Sequence, residues 1–184
     1  LVMKRIQELE LCKLKNDHQG LEKAYQAALE AVEGLRDEQA VPDALTMCVM
    51  HSDLKQLGDF SCSDETVNRL YSMARISDLA NFYYIVTDCP HREKNGWTGD
   101  AQLAMETGLW NFEAKASYIH FLRMMLDAQR LNGAVPCIIP CTPTFGFSWG
   151  SGPAWDALLF EIPWQIYRFY GDDAPAREAY EAMK

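Results

Sequence analysis

Within TDCPHREKNGWTGD, residues 87–100, stand three carboxylates (Asp88, Glu93, Asp100), two cations (Arg92, Lys94), an imidazole (His91), a thiol (Cys89) and an indole (Trp97). Pro90, Gly96 and Gly99 interrupt any long regular element through this stretch, so its side chains can converge on one point. Carboxylates brought close together cannot all ionise cheaply, so at least one should keep its proton near neutral pH. That is the state a general acid needs. Glu93 is flanked by Arg92 and Lys94, which favour its charged form. An acid at Glu93 therefore requires those cations to turn away, or to contact ligand or the other carboxylates. Arg92 holding Asp88 or Asp100 ionised would leave Glu93 as the protonated member.

A purely structural reading stands beside this one. Asp100 can cap the helix it precedes, Asp88 can cap a turn, and Glu93 can be a solvated loop charge, because ion-pair networks imitate sites. Cys89 and His91 lie two apart across a proline and are poorly placed as a nucleophile pair. Trp97 offers a flat apolar face of the kind on which pyranose C–H groups pack. Trp149 and Trp155 offer the same, whereas Trp110 sits at helical spacing and reads as core.

The elements that must position these groups read as mostly α. Leu21, Tyr25, Ala28, Val32 and Leu35 form an amphipathic stripe, within an N-terminal helical segment spanning 1–40. Residues 41–62, with Pro42, Gly58 and scattered β-branched residues, read as a linker with at most a short strand. Ser63 then caps a helix through Val67, Leu70, Tyr71 and Ala74 that runs to about Tyr84. A short helix from about Asp100 to Thr107 precedes a longer one capped by Asn111, with Ile119, Leu122 and Leu126 inside and Asn132-Gly133 as its stop. Four prolines and four glycines make 133–153 a long loop bearing Phe145, Phe147 and Trp149. A helix from about Ala154 to Tyr170, bent at Pro163, ends at Gly171, and Ala174-Pro175 opens the last one. Helix, loop, helix from residue 63 to 184 fits a toroid of helical hairpins whose functional loops share one end.

Composition narrows the partners. The chain has 184 residues, 48% of them hydrophobic and 23% charged, enough for one packed domain or part of a larger one. A net charge of -9 argues against a nucleic-acid surface and gives no help with anionic lipid. No apolar run approaches the roughly 20 residues of a membrane span. LVMKRIQELELCK interleaves acids and bases and does not read as a signal peptide; without a first Met, it suggests a start inside a longer product. The six scattered cysteines read as reduced thiols of a cytoplasmic protein. Cys137 and Cys141 lack a matching pair at metal-ligand spacing, so no metal site is expected.

The run from Asp88 to Lys94, followed by Gly96-Trp97-Thr98-Gly99-Asp100, resembles the active-site signature of glycoside hydrolase family 78, the α-L-rhamnosidases. Val49-Met50-His51-Ser52-Asp53 and Gly58–Asp64 resemble the entry to that family's catalytic domain, and Pro153–Ala157 with Pro163-Trp164 resembles a later segment. The similarity spans about 46–182. It implies an (α/α)6 barrel, of which 63–184 would supply about half the ring, and hydrolysis of terminal α-L-rhamnose with inversion and no cofactor. It places Glu93 on the general acid. Asp88, Arg92 and Asp100 fall on residues that hold rhamnose hydroxyls, and Trp97 and Trp155 on aromatic walls.

Three departures shape the expectation. The signature is the shorter of its forms, leaving Glu93 alone to act as the acid. No glycine separates Trp155 from Asp156, which sets Asp156 outside the expected site. The family's general-base glutamate lies in a later part of the ring, and Glu161, Glu178 and Glu181 read as structural. The expected activity is therefore that of a glycosidase lacking its general base. The alternatives are a half-barrel that binds carbohydrate or pairs with a second copy to cover its open face, and an inverting glycosidase of other sugar specificity.

Overall fold

The computed structural model describes residues 48–141, 146–147 and 152–184. The stripe from Leu21 to Leu35, Phe145 and Trp149 lie outside the described residues. In chain order the elements are α1 (Glu65–Ala80), β1 (Phe82–Tyr83), β2 (Ile85–Val86), α2 (Thr98–Asn111), α3 (Lys115–Ala128), α4 (Pro153–Asp156), α5 (Leu158–Tyr170) and α6 (Ala174–Ala179). The mostly α expectation holds, and the layout is that of part of an α/α toroid. No described helix is long and apolar enough to cross a membrane.

The chain divides into two compact units, residues 1–50 with 62–77 and residues 51–61 with 78–184. In the first, the start of α1 is capped by Asp64 rather than Ser63. Asp64 Oδ1 accepts the Thr66 N–H at 2.8 Å and the Val67 N–H at 3.4 Å. Asn68 reaches back to Cys62, accepting its N–H and donating to its carbonyl, each at 2.8 Å.

In the second unit, α1 stops at Ala80, short of Tyr84. The chain turns through Tyr84, whose φ of 71° joins β1 to β2 as a two-residue antiparallel hairpin. The Tyr84 N–H donates to Ser52 Oγ at 2.6 Å, and the Ser52 N–H to the Phe82 carbonyl at 2.8 Å. These bonds tie the extended 51–61 stretch to the hairpin.

α2 begins at Thr98 and runs to Asn111, longer at both ends than the glycines and threonine of TGDAQLAMETG suggest. Asn111 closes α2, donating from Nδ2 to the Thr107 carbonyl, instead of capping α3. The interruption between α4 and α5 falls at Ala157, not at Pro163, which sits inside α5. Gly171 terminates α5 in the left-handed region (φ 65°), as its position predicts.

α5 packs against α2, α3 and α6. Tyr118, Phe121, Leu122 and Met125 of α3 follow i, i+3, i+4, i+7. Leu158, Ile162 and Ile166 of α5 follow i, i+4, i+8. Both rows are buried, together with Met105 and Leu109 of α2 and Phe82 and Val86 of the hairpin. Each such side chain withdrawn from water stabilises the fold by about 1.5–3 kcal/mol. Trp110 is not core: it is 64% exposed, with its ring edge-on to Phe169 at 5.1 Å.

One acid is trapped in this layer. Asp78, at the end of α1, is 8% exposed, and its Oδ2 has no hydrogen-bond partner among the described residues. A Cβ placed on Gly108 would lie 2.9 Å from Tyr118 Oη and 3.4 Å from Asp78 Oδ2, so both oxygens crowd the bare backbone of α2. Burial pushes the Asp78 carboxyl up from 3.8 to about 6. Because the folded value lies above the unfolded one, protonation stabilises the fold. That stability is complete below 3.8 and is lost as pH rises through about 6. A two-unit shift corresponds to about 3 kcal/mol. Asp78→Asn is therefore expected to flatten the fall in urea-unfolding free energy between pH 4 and 7, and to be the more stable protein at pH 7. An unchanged slope would refute this assignment.

Candidate active site

The acid-bearing stretch is folded by its own small residues and pinned from outside. Leaving β2, the Thr87 N–H and Oγ1–H both donate to the Asn81 carbonyl. Asp88 and Asn95 then close the loop reciprocally. The Asp88 N–H donates to the Asn95 carbonyl at 3.0 Å, and the Asn95 N–H to Asp88 Oδ1 at 2.9 Å. Inside the loop the Cys89 thiol donates to Asp88 Oδ2 at 2.8 Å and accepts the Glu93 N–H at 3.2 Å. One sulfur thus links two of the three carboxylate residues, which is a positioning task and not that of a Cys–His nucleophile.

The exit of the loop is bonded to the CIIPC segment. Gly96 accepts the Ile139 N–H and Thr98 donates to the Cys137 carbonyl, both at 2.9 Å, and Trp97 bridges Ile138 between them. A Cβ on Gly96 would stand 2.0 Å from the Ile139 carbonyl oxygen. The Cys137 thiol donates to the Gly146 carbonyl at 2.8 Å, so this cysteine is buried scaffolding for the loop.

On this frame Glu93 is exposed, and its Oε2 accepts the Trp97 indole N–H at 2.9 Å. Asp100 stands in the first turn of α2, where its carboxylate also takes its own backbone N–H. Burial raises its pKa, and the charges of Asp88 and Glu93 raise it further. The charges of Asp88 and Glu93 thus reach Asp100, as the clustering predicts. Trp155 is brought to the same end of α2. A Cβ on Gly99 would meet its indole Nε1 at 3.0 Å and Cδ1 at 3.1 Å, so the ring lies against the glycine preceding Asp100.

Of the two arrangements the sequence left open for Arg92, the structure has it turned away from Asp88. Asp88 is held by the Asn95 amide and the Cys89 thiol, not by a guanidinium. No hydrogen bond or ion pair joins Arg92 to the described residues, and its side chain is exposed on the same loop. Sequence reasoning also missed the Glu93–Trp97 pairing, the thiol link and the two close-packed glycines. Only the glycines had a local signal, standing one before Trp97 and one before Asp100. Asp156, set outside the site by the sequence, has its Oδ1 buried without a partner among the described residues, and burial raises its pKa. A cleft of about 580 Å³ opens elsewhere, lined by Met124, Asp127, Arg130, Ile139 and Phe147; none of the loop acids borders it.

Paired helices, with a loop that gathers Asp88, Glu93 and Asp100 near two indoles, give the layout of part of an α/α toroid. The chain belongs to the bacterial α-L-rhamnosidase six-hairpin glycosidase family, whose domain pattern matches residues 55–184. An α-L-rhamnosidase of Formosa agariphila is 31% identical over 151 residues, 77% of this chain and 16% of that protein. The structure of an α-L-rhamnosidase from Dictyoglumus thermophilum aligns with a TM-score of 0.67 at 35% identity, over 72% of this chain and 15% of the other. That of the Streptomyces avermitilis α-L-rhamnosidase complexed with L-rhamnose aligns with the same TM-score at 26% identity, covering 72% and 13%. The chain spans 16% or less of the length of the curated relatives it matches.

Proposed function

We propose that residues 88–100 with Trp155 form the proton-donating and sugar-holding side of a site that hydrolyses terminal α-L-rhamnosides with inversion. The observation carrying this reading is an exposed Glu93 carboxyl oriented by an indole and near enough to Asp100 for its charge, with that of Asp88, to raise the Asp100 pKa. Glu93 protonates the leaving oxygen as the C1–O bond breaks. A second carboxylate, roughly 6.5–9.5 Å away in inverting enzymes, activates water from the opposite face.

Sugar hydroxyls have partners of both kinds here. Asp88 retains lone pairs after its two loop bonds, Asp100 adds a second carboxyl group, and Arg92 brings five donors with no intramolecular bond among the described residues. Trp97 and Trp155 supply the apolar faces. Local pairing of the glutamates in α5 and beyond supports reading them as structural and not as the water-activating group. Glu178 accepts from Arg123 at 2.8 and 3.0 Å, Glu181 from Lys184 at 2.8 Å, and Glu161 from Gln165 at 3.3 Å.

Titrating the chain with L-rhamnose should shift the indole N–H resonances of Trp97 and Trp155 saturably, with a weaker response to L-mannose. No shift of either indole at saturating sugar would overturn the reading. A second reading, assembly of two copies across the open half-ring, is favoured by the exposed aromatic row Phe160, Trp164 and Tyr167 on α5. A monomer in light scattering at high concentration would remove it.

A further inference from the structure

Glu93 is tied at two points. Its N–H is held by Cys89 Sγ at 3.2 Å, and its Oε2 accepts the Trp97 indole N–H at 2.9 Å. Trp97 is anchored independently, through its N–H to the Asn95 carbonyl at 3.0 Å and its bridge to Ile138. No hydrogen bond engages Oε1 among the described residues. An indole nitrogen is a donor and never an acceptor, so Oε2 cannot direct a proton at it.

We infer that Trp97 is a positioning residue for proton transfer: by occupying Oε2 it places the acid proton of Glu93 on Oε1 and turns that oxygen toward the leaving group. This rests on Glu93 being the general acid. In the step, the Oε1–H bond breaks and the proton bonds to the glycosidic oxygen. The C1–O electron pair leaves with that oxygen while a water oxygen bonds to C1 and passes its proton to the second carboxylate, and Glu93 becomes a carboxylate. The indole bond then passes from a neutral acceptor to a charged one and strengthens as negative charge develops. An aromatic wall needs only the ring face; this role needs the N–H.

The test begins with the full chain, labelled with ¹⁵N at tryptophan and ¹³C at glutamate. Over a pH titration the Trp97 indole proton signal should move in step with the Glu93 Cδ signal, and should be flat in Glu93→Gln. A flat indole in the wild type, or equal movement in Glu93→Gln, overturns the inference. The second arm compares aryl α-L-rhamnosides with good and poor leaving groups in the catalytically complete protein. Trp97→Phe keeps an aromatic face and loses the N–H. Its loss in kcat/KM should be roughly tenfold or more greater on the poor leaving group, the effect of one charge-assisted hydrogen bond. Equal losses would reduce Trp97 to a wall. If Glu93→Gln itself loses equally on both substrates, the acid assignment falls and the inference with it.

Discussion

Glu93→Gln should lower kcat/KM for an aryl α-L-rhamnoside with a poor leaving group by about 10²–10⁴-fold in the catalytically complete domain. That corresponds to about 3–5 kcal/mol of lost transition-state stabilisation. Glutamine keeps an oxygen for the Trp97 indole and a backbone N–H for Cys89, so both loop bonds survive and the melting temperature should barely move. Only the transferable proton is removed. A dinitrophenyl leaving group needs little protonation, and its loss should be correspondingly smaller. Steady-state rates on both substrates decide the matter. Wild-type rates in the mutant would remove Glu93 from catalysis.

Gly96→Ala is expected to be nearly as damaging for a different reason. The added methyl would stand 2.0 Å from the Ile139 carbonyl oxygen and 2.5 Å from Ile85 Cδ1. A side chain can swing aside, but a backbone carbonyl in a bonded strand pair cannot. The Gly96–Ile139 and Thr98–Cys137 bonds must lengthen or break, and the Trp97 bridge to Ile138 with them. Overpacking of this kind costs about 1–3 kcal/mol, and contact with rigid backbone places it at the upper end. Urea unfolding should show the loss while far-UV circular dichroism stays helical, because the buried rows of α2, α3 and α5 are untouched. The Trp97 indole resonance should move as the Glu93 pair separates. A variant within 0.5 kcal/mol of wild type would contradict the packing described.

Much of this was legible in the sequence because helical periodicity is a local signal. Leu122 and the i, i+3, i+4 rows around it, the stop at Gly171 and the start at Ala174-Pro175 each depend on a few neighbouring residues. Failures occurred where distant contacts decide. Asn111 looks like a cap by residue type, yet its backbone oxygen is taken by the N–H groups of Leu57 and Gly58, more than fifty residues earlier in the chain. Trp110 keeps helical spacing but falls on the face of α2 away from the buried row. The hairpin at 82–86 is too short to show alternation, and Tyr84 holds its turn through Ser52. In the candidate site, clustering of carboxylates could be read from spacing, since turns within thirteen residues must fold back. The partner of each carboxylate could not be read. Electrostatics favours Arg92 as the partner of an acid, yet backbone amides, a thiol and an indole lay closer once the loop closed on itself.

The central claim is that L-rhamnose sits against Trp97 and Trp155 with its anomeric oxygen presented to Glu93. The most direct measurement is a crystal structure of the chain soaked with L-rhamnose. The account predicts a sugar ring packed against the two indoles, hydroxyls bonded to Asp88, Arg92 and Asp100, and Glu93 Oε1 within roughly 2.6–3.2 Å of the anomeric oxygen. Rhamnose bound away from the loop, or at the loop with Glu93 turned from the anomeric oxygen, would contradict it.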